Sequence, residues 1–222
     1  MSLLQRTVKR NLTDLLRQEI LRGTLAPGEH LRQDEVAVRF AVSTMPVREA
    51  FHSLEAEGLV TIYPHRGAVV SSLSAQDLED LYDIRATLEE MAAGLAVPHL
   101  SEERLSELDA CLQDLDRHLS GGDAAILVDL NHQFHTTLYA ASGRRQLCDL
   151  VQTLRRRTQH YLHAYTDLVG SMPAAQAEHR EILAACRRGD AETASALTRA
   201  HVLRVGAVLV QHTRQKEDID HN

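Results

Sequence analysis

The stretch from Leu31 to Val70, LRQDEVAVRFAVSTMPVREAFHSLEAEGLVTIYPHRGAVV, constrains this chain more than any other. Val36, Ala37 and Phe40 fall at the spacing of a short helix with one buried face over Glu35–Phe40. Ala41-Val42 breaks that pattern. Ser43 is placed to cap a second helix, with Pro46 in its first turn, where a missing N–H costs nothing. That helix carries Val47, Ala50, Phe51 and Leu54 at helical spacing and stops at Gly58. Two short strands, Leu59–Tyr63 and Ala68–Val70, follow, joined by Pro64-His65-Arg66-Gly67. Helix, turn, helix and hairpin in this order predict a winged helix-turn-helix. Its second helix would offer Ser43, Thr44 and Arg48 at the end that meets base edges and phosphates.

Charge fits a nucleic-acid partner once it is divided. The net formal charge is −7 over 222 residues. Residues 1–70 hold nine Lys or Arg against eight Asp or Glu, while the remainder holds fifteen against twenty-three. The acidic excess therefore belongs to the second part, and a basic face on the first stays available. Arg32, Arg39, Arg48 and Arg66 supply that charge, with Arg6, Lys9 and Arg10 ahead of them on a predicted amphipathic helix, Val8–Arg22. Met1–Arg6 is expected to fray. Arg66-Gly67 forms the wing tip, an arginine suited to a narrow groove beside a glycine that permits close backbone approach.

After a Ser71–Ser74 linker the pattern is helical only. Ser74 and Asp77 have capping-box spacing. Candidate helices are Ala75–Ala96, Glu102–Ser120, Asp123–Ala141, Arg144–Val169, Pro173–Arg188 and Ala191–Arg214, broken at Pro98, Gly121-Gly122, Ser142-Gly143, Gly170 with Pro173, and Gly189-Asp190. The expected fold is mainly α: a winged helix-turn-helix over 1–71, an all-α antiparallel six-helix bundle over 75–215, and a loose tail over 216–222. Cys111, Cys148 and Cys186 are isolated and odd in number, which points to a reducing cytoplasm rather than a disulfide framework. No apolar run of membrane-spanning length appears.

Ten of the thirteen histidines lie after residue 71. Asn131 and His135 are four apart on one predicted helix and share a face. His179 and His201 lie on the last two helices, which an antiparallel arrangement could bring opposite them. Three imidazoles and one oxygen donor suit Zn²⁺, Ni²⁺ or a similar divalent ion. Residues alone also allow ordinary hydrogen-bonded core histidines, and His132 competes with its neighbours for a ligand role.

Several segments together carry a resemblance. Pro27-Gly28-Glu29-His30-Leu31, Val42-Ser43-Thr44-Met45-Pro46-Val47-Arg48-Glu49-Ala50, Leu54-Glu55-Ala56-Glu57-Gly58-Leu59-Val60 and Arg66-Gly67-Ala68-Val69-Val70 resemble the GntR family of bacterial transcription regulators, in the branch with a FadR-type helical domain. The resemblance implies operator contact by Arg48. It departs at Thr44-Met45, where relatives commonly carry arginine and threonine, so a different operator is expected. Asn131-His132-Gln133-Phe134-His135 is similar to that domain's metal segment, with asparagine where many relatives have aspartate, and His179 and His201 match its later ligands. Arg85, in Ile84-Arg85-Ala86-Thr87-Leu88-Glu89, is similar to an arginine that faces the effector pocket in relatives. Its alternative role is a structural pair with Glu89.

The resemblance implies a homodimeric DNA-binding regulator, most commonly a repressor. Double-stranded operator DNA would be its partner, and a small carboxylate, held with a divalent metal, its effector. Two alternatives stay open at this point. One is a regulator for which the metal itself is the signal. The other is a metal-dependent hydrolase, for which the chain shows no HExxH and no nucleotide-binding loop.

Overall fold

A computed structural model describes residues 3–64, 66–119, 124–164 and 172–220. They fall into two units: residues up to Ser72 with Arg156–Ala164, and Leu73–Arg155 with the residues after Ala164.

In the first unit, α1 (Leu3–Leu21) buries Leu12, Leu16 and Ile20, one residue per turn on a single face. It starts at Leu3, ahead of the expected start at Val8. Helices α2 (Gln33–Arg39) and α3 (Thr44–Ala56) form the helix-turn-helix, and α3 buries Val47, Ala50, Phe51 and Leu54. Arg17 fastens α1 to the end of α3, its Nε and Nη2 each 2.7 Å from a Glu57 carboxylate oxygen. Ser43 takes the extended N-cap conformation, but its side chain makes no capping bond. It stands exposed, where water can satisfy the first N–H groups of α3 instead.

Both helices end in the same hydrogen-bonded motif. After α3, Leu59 N–H donates to Leu54 O at 2.9 Å and Gly58 N–H to Glu55 O at 2.9 Å, with Gly58 at φ +73°. After α2, Val42 N–H donates to Ala37 O at 3.0 Å and Ala41 N–H to Val38 O at 3.2 Å, with Ala41 at φ +51°. The left-handed conformation costs an L residue roughly 1–2 kcal/mol. Part of that is offset because glycine loses about 0.5–1 kcal/mol more conformational freedom on folding. Ala41→Gly is therefore expected to stabilise this unit by about 0.5–1 kcal/mol, read as a raised thermal midpoint. A lowered midpoint would contradict the strain.

The wing has three strands rather than two. β1 (His30–Leu31), β2 (Val60–Tyr63) and β3 (Gly67–Val70) stand in the order β1-β3-β2, all neighbours antiparallel. β1 escaped the sequence reading because two residues cannot display alternation. His65 lies outside the described residues. Gly67, at φ +88°, has a structural reason: a Cβ there would lie 2.3 Å from the Leu31 carbonyl oxygen. The close approach it permits is to β1 of its own chain.

The second unit is helical: α4 (Ala75–Ala96), a 3₁₀ turn (Val97–His99), α5 (Glu102–Leu119), α6 (Ala124–Ala140), α7 (Arg145–Ala164) as far as Arg155, α8 (Met172–Arg187) and α9 (Ala191–Asp220). The Ser74–Asp77 capping box opens α4 with both reciprocal bonds at 3.1 Å. Pro98 sits in the 3₁₀ turn, and Gly143 and Gly189 adopt positive φ. Gly121-Gly122, Gly170 and the expected end of α7 at Val169 lie outside the described residues.

The tail expected to be loose from Lys216 is instead the last turns of α9, which runs to Asp220. Polar contacts rather than apolar periodicity hold it: Ala75 N–H donates to Glu217 Oε1 at 3.1 Å, and Arg214 pairs with Glu79 at 2.7 Å. Earlier in α9, Gly206 lies against α4, where a Cβ would stand 2.6 Å from the Tyr82 ring. The core gathers Leu108, Leu112, Phe134, Leu138, Ile182 and their neighbours. No described helix is long and apolar enough to cross a membrane.

Candidate functional site

In the first unit a groove of about 730 Å³ runs between α3 and the wing. Arg32, Arg48, Arg66 and Gly67 line it, with His30, His52, Phe51 and Tyr63 among the others. Arg48 is exposed and makes no ion pair among the described residues, so its guanidinium is available to a ligand. Ser43 and Thr44 are exposed at the N-terminus of α3, and Gln33 Nε2 donates to the Thr44 carbonyl at 2.7 Å.

Arg39 differs from the expectation. Its two terminal nitrogens bond both Glu19 oxygens, at 2.9 and 2.5 Å, and it is not among the groove's lining residues. It ties α2 to α1. Sequence supplies a positive charge but not the direction in which a helix presents it. Arg10 is exposed, and the side chains of Arg6 and Lys9 lie outside the described residues.

In the second unit, α6, α8 and α9 bring His135, His179 and His201 together, all buried, with ligand atoms within 4.8 Å of one another. His179 Nε2 stands 3.1 Å from His135 Nε2 and 3.2 Å from His201 Nε2. What faces the other ring nitrogens decides which atoms carry protons.

His201 Nδ1 lies 2.7 Å from Glu178 Oε2. Burial opposes the Glu178 charge, but hydrogen bonds from His201 and Arg204 overcome it and hold the carboxyl down to about 2. It is an acceptor, so His201 Nδ1 must donate. Gln176 Nε2 donates to Leu112 O at 2.8 Å and to Asp116 Oδ1 at 2.9 Å, which turns its oxygen toward His179 Nδ1 at 3.4 Å. His179 Nδ1 therefore donates too. Tyr139 gives its only hydroxyl proton to Glu89 Oε2 at 2.8 Å, so His135 Nδ1, 3.0 Å away, donates to that hydroxyl.

With all three protons on Nδ1, the Nε2 lone pair of His179 meets those of His135 and His201 in a buried space. Burial, with Arg155 near His135 and His201 near His179, pushes both imidazoles well below the usual histidine range, so they are neutral at pH 7. Neutral imidazoles with converging lone pairs repel unless a cation lies between them. Tetrahedral Zn–N bonds of about 2.0–2.1 Å separate their nitrogens by about 3.3 Å, close to the 3.1 and 3.2 Å that separate His179 Nε2 from the other two. The donor set therefore fits a divalent ion, and the partners on Nδ1 are the kind that orient metal-bound histidines.

Asn131, one turn before His135 on α6, is half-buried. His132 lies 3.4 Å from Thr136 Oγ1 and is not in the histidine group. Arg85 is buried, its Nε 2.7 Å from Glu89 Oε1, so the structural pair is present. Arg155 Nη1 reaches Glu89 Oε2 at 2.7 Å. Burial opposes the Glu89 charge, but Arg85 and Arg155 overcome it and hold the carboxyl at about 2. Sequence reasoning did not place Tyr139, Arg155 or Gln176. Tyr139 follows His135 by four residues and Gln176 precedes His179 by three, which are legible signals; Arg155 comes from another helix, which is not.

The model of bacterial regulatory proteins of the gntR family matches residues 8–70, and the FCD domain model matches residues 80–204. The chain belongs to the GntR family. Its second unit is accordingly an FCD domain, and the family comprises transcription regulators, not enzymes. The chain is 32% identical to the HTH-type transcriptional repressor GlaR of Escherichia coli over 85% of this chain and 89% of that one. It is 33% identical to the HTH-type transcriptional regulator YdhC of Bacillus subtilis, where the match spans 62% of each chain, less than two thirds of that relative. The structure of E. coli McbR/YncC superposes with a TM-score of 0.81 at 26% identity, covering 96% of this chain and 99% of that one.

Proposed function

We propose that this GntR-family regulator is a homodimeric repressor whose affinity for a palindromic operator is set by a small organic acid bound at a divalent ion in the FCD domain. The observation that supports the sensing half most strongly is the convergence of three buried imidazoles, His135, His179 and His201, with His179 Nε2 within 3.2 Å of the other two Nε2 atoms. Asn131 is the proposed fourth donor. A zinc or nickel ion held there would offer an electrophilic centre to a carboxylate oxygen. Three imidazoles and an amide are all neutral donors, so the ion's charge would go uncompensated until an anion arrived.

The surroundings suit such an anion. Arg85 and Arg155 are buried around the single carboxylate of Glu89. Arg85 also stacks on the Tyr82 ring, 4.5 Å from its centroid, and the buried Tyr82 hydroxyl has no hydrogen-bond partner among the described residues. An orphaned buried hydroxyl costs about 1–3 kcal/mol, which a ligand oxygen would recover. On the DNA side, Ser43, Thr44 and Arg48 would meet base edges and phosphates in the major groove, with Arg32 and the Arg66-Gly67 wing on the flanking backbone or minor groove.

The test is an electrophoretic shift on DNA upstream of the protein's own gene. A retarded band that weakens steeply with salt, and whose midpoint moves when a small carboxylate is added to zinc-loaded protein, is expected. Zinc alone moving the midpoint, with no further response to any of a panel of carboxylates, would favour the second reading, in which the metal is the signal.

A further inference from the structure

Of the three groups that face the histidines' Nδ1 atoms, Tyr139 differs in one respect. Gln176 and Glu178 act on His179 and His201 directly. The Tyr139 hydroxyl has one proton, and its polarity depends on what lies behind it. Glu89 Oε2 takes that proton at 2.8 Å, and Glu89 is fixed as an acceptor by Arg85 Nε on one oxygen and Arg155 Nη1 on the other, each at 2.7 Å. All of these groups are buried, so no water shell offers an easy alternative.

We infer that Tyr139 is a positioning residue for the bound ion: it passes the acceptor polarity of Glu89 to His135 and holds that imidazole with its proton on Nδ1 and its Nε2 ready to ligate. The inference rests on the metal-centre reading above. Without the hydroxyl, the buried His135 Nδ1–H has no acceptor. The proton is then better placed on Nε2, where it can donate to the His179 Nε2 lone pair 3.1 Å away. That bond closes the site on itself, and an incoming ion must displace it. The same line joins the arginine pair to a metal ligand, so an anion that shares Arg85 and Arg155 with Glu89 acts on His135 through two hydrogen bonds.

The experiment titrates zinc alone into chelator-stripped full-length protein against a chromophoric competitor, for wild type, Tyr139→Phe and Glu89→Gln. Long-range ¹H–¹⁵N spectra of the metal-free proteins report the His135 tautomer independently. Wild type is expected to show the proton on Nδ1. Tyr139→Phe is expected to move it to Nε2 and to weaken zinc binding by about 10- to 100-fold, the range for a lost partner behind a metal-bound histidine. Its metal-free thermal midpoint should stay close to wild type. Glu89→Gln keeps the side-chain volume but can present an amide N–H to Tyr139, turning the hydroxyl toward His135 and producing the same tautomer change. Wild-type binding with Tyr139→Phe within twofold of it, or an Nε2–H His135 in the wild type, overturns this inference alone. A wild type that binds no zinc overturns the metal-centre reading and the inference with it.

Discussion

Replacing His179 with alanine is expected to remove most of the stabilisation that zinc confers. His179 is the central member of the group, its Nε2 within 3.2 Å of both other ring nitrogens, on His135 and His201. Loss of a partner behind a metal-bound histidine already costs 10- to 100-fold in affinity, so loss of a ligand should cost about a hundredfold or more. Zinc at 1,000 times its dissociation constant stabilises a folded protein by about 4.1 kcal/mol. At the same concentration, a variant weakened a hundredfold gains only about 1.4 kcal/mol. For a chain of this size each kcal/mol shifts the thermal midpoint by about 2–4 °C. The difference is therefore several degrees, measurable by calorimetry in zinc and in chelator. Because His179 packs against Phe134 with ring centroids 4.9 Å apart, each variant must be compared with its own metal-free midpoint. An equal zinc shift in wild type and His179→Ala would remove the histidine from the ligand set.

The second large effect is at Arg48. Its guanidinium is exposed on the groove between α3 and the wing. A bidentate contact from such an arginine to guanine discriminates by about 1–3 kcal/mol. A symmetric dimer makes the contact twice, so Arg48→Ala is expected to weaken operator binding by at least about thirtyfold, with little change in the thermal midpoint. Arg39→Ala is the informative contrast. Arg39 is bonded to Glu19 through both terminal nitrogens, so its loss should lower stability while leaving operator affinity within a few-fold. Fluorescence anisotropy on labelled operator DNA reads both variants. Equal operator binding by Arg48→Ala and wild type would remove α3 as the recognition helix.

This contrast shows where the sequence was legible and where it was not. Four arginines near the helix-turn-helix carry the same charge, and only the fold divides them. Arg32, Arg48 and Arg66 line the groove, while Arg39 pairs with α1. Local signals read well: the Ser74–Asp77 capping box and the Pro98 break bound α4 because both act within a few residues of themselves. Signals that depend on distant partners did not. β1 exists only because β3 pairs with it. The last turns of α9 look like a polar tail until Glu217 and Arg214 meet the start of α4.

At the site, the three histidines are recognisable from the chain, but their convergence is a tertiary fact. So is the shell behind them. Glu89 and Tyr139 each sit four residues from a named site residue, Arg85 and His135, so the spacing was visible. That Tyr139 joins the two pairs was not, because α4 and α6 meet only in the folded domain.

The most direct measurement is anomalous diffraction from crystals grown with zinc, with data collected on both sides of the zinc absorption edge. A single strong difference peak per FCD domain is expected, about 2.0–2.1 Å from the Nε2 atoms of His135, His179 and His201. A zinc-soaked crystal with no peak among those three nitrogens, or with zinc bound only at surface residues, would contradict it.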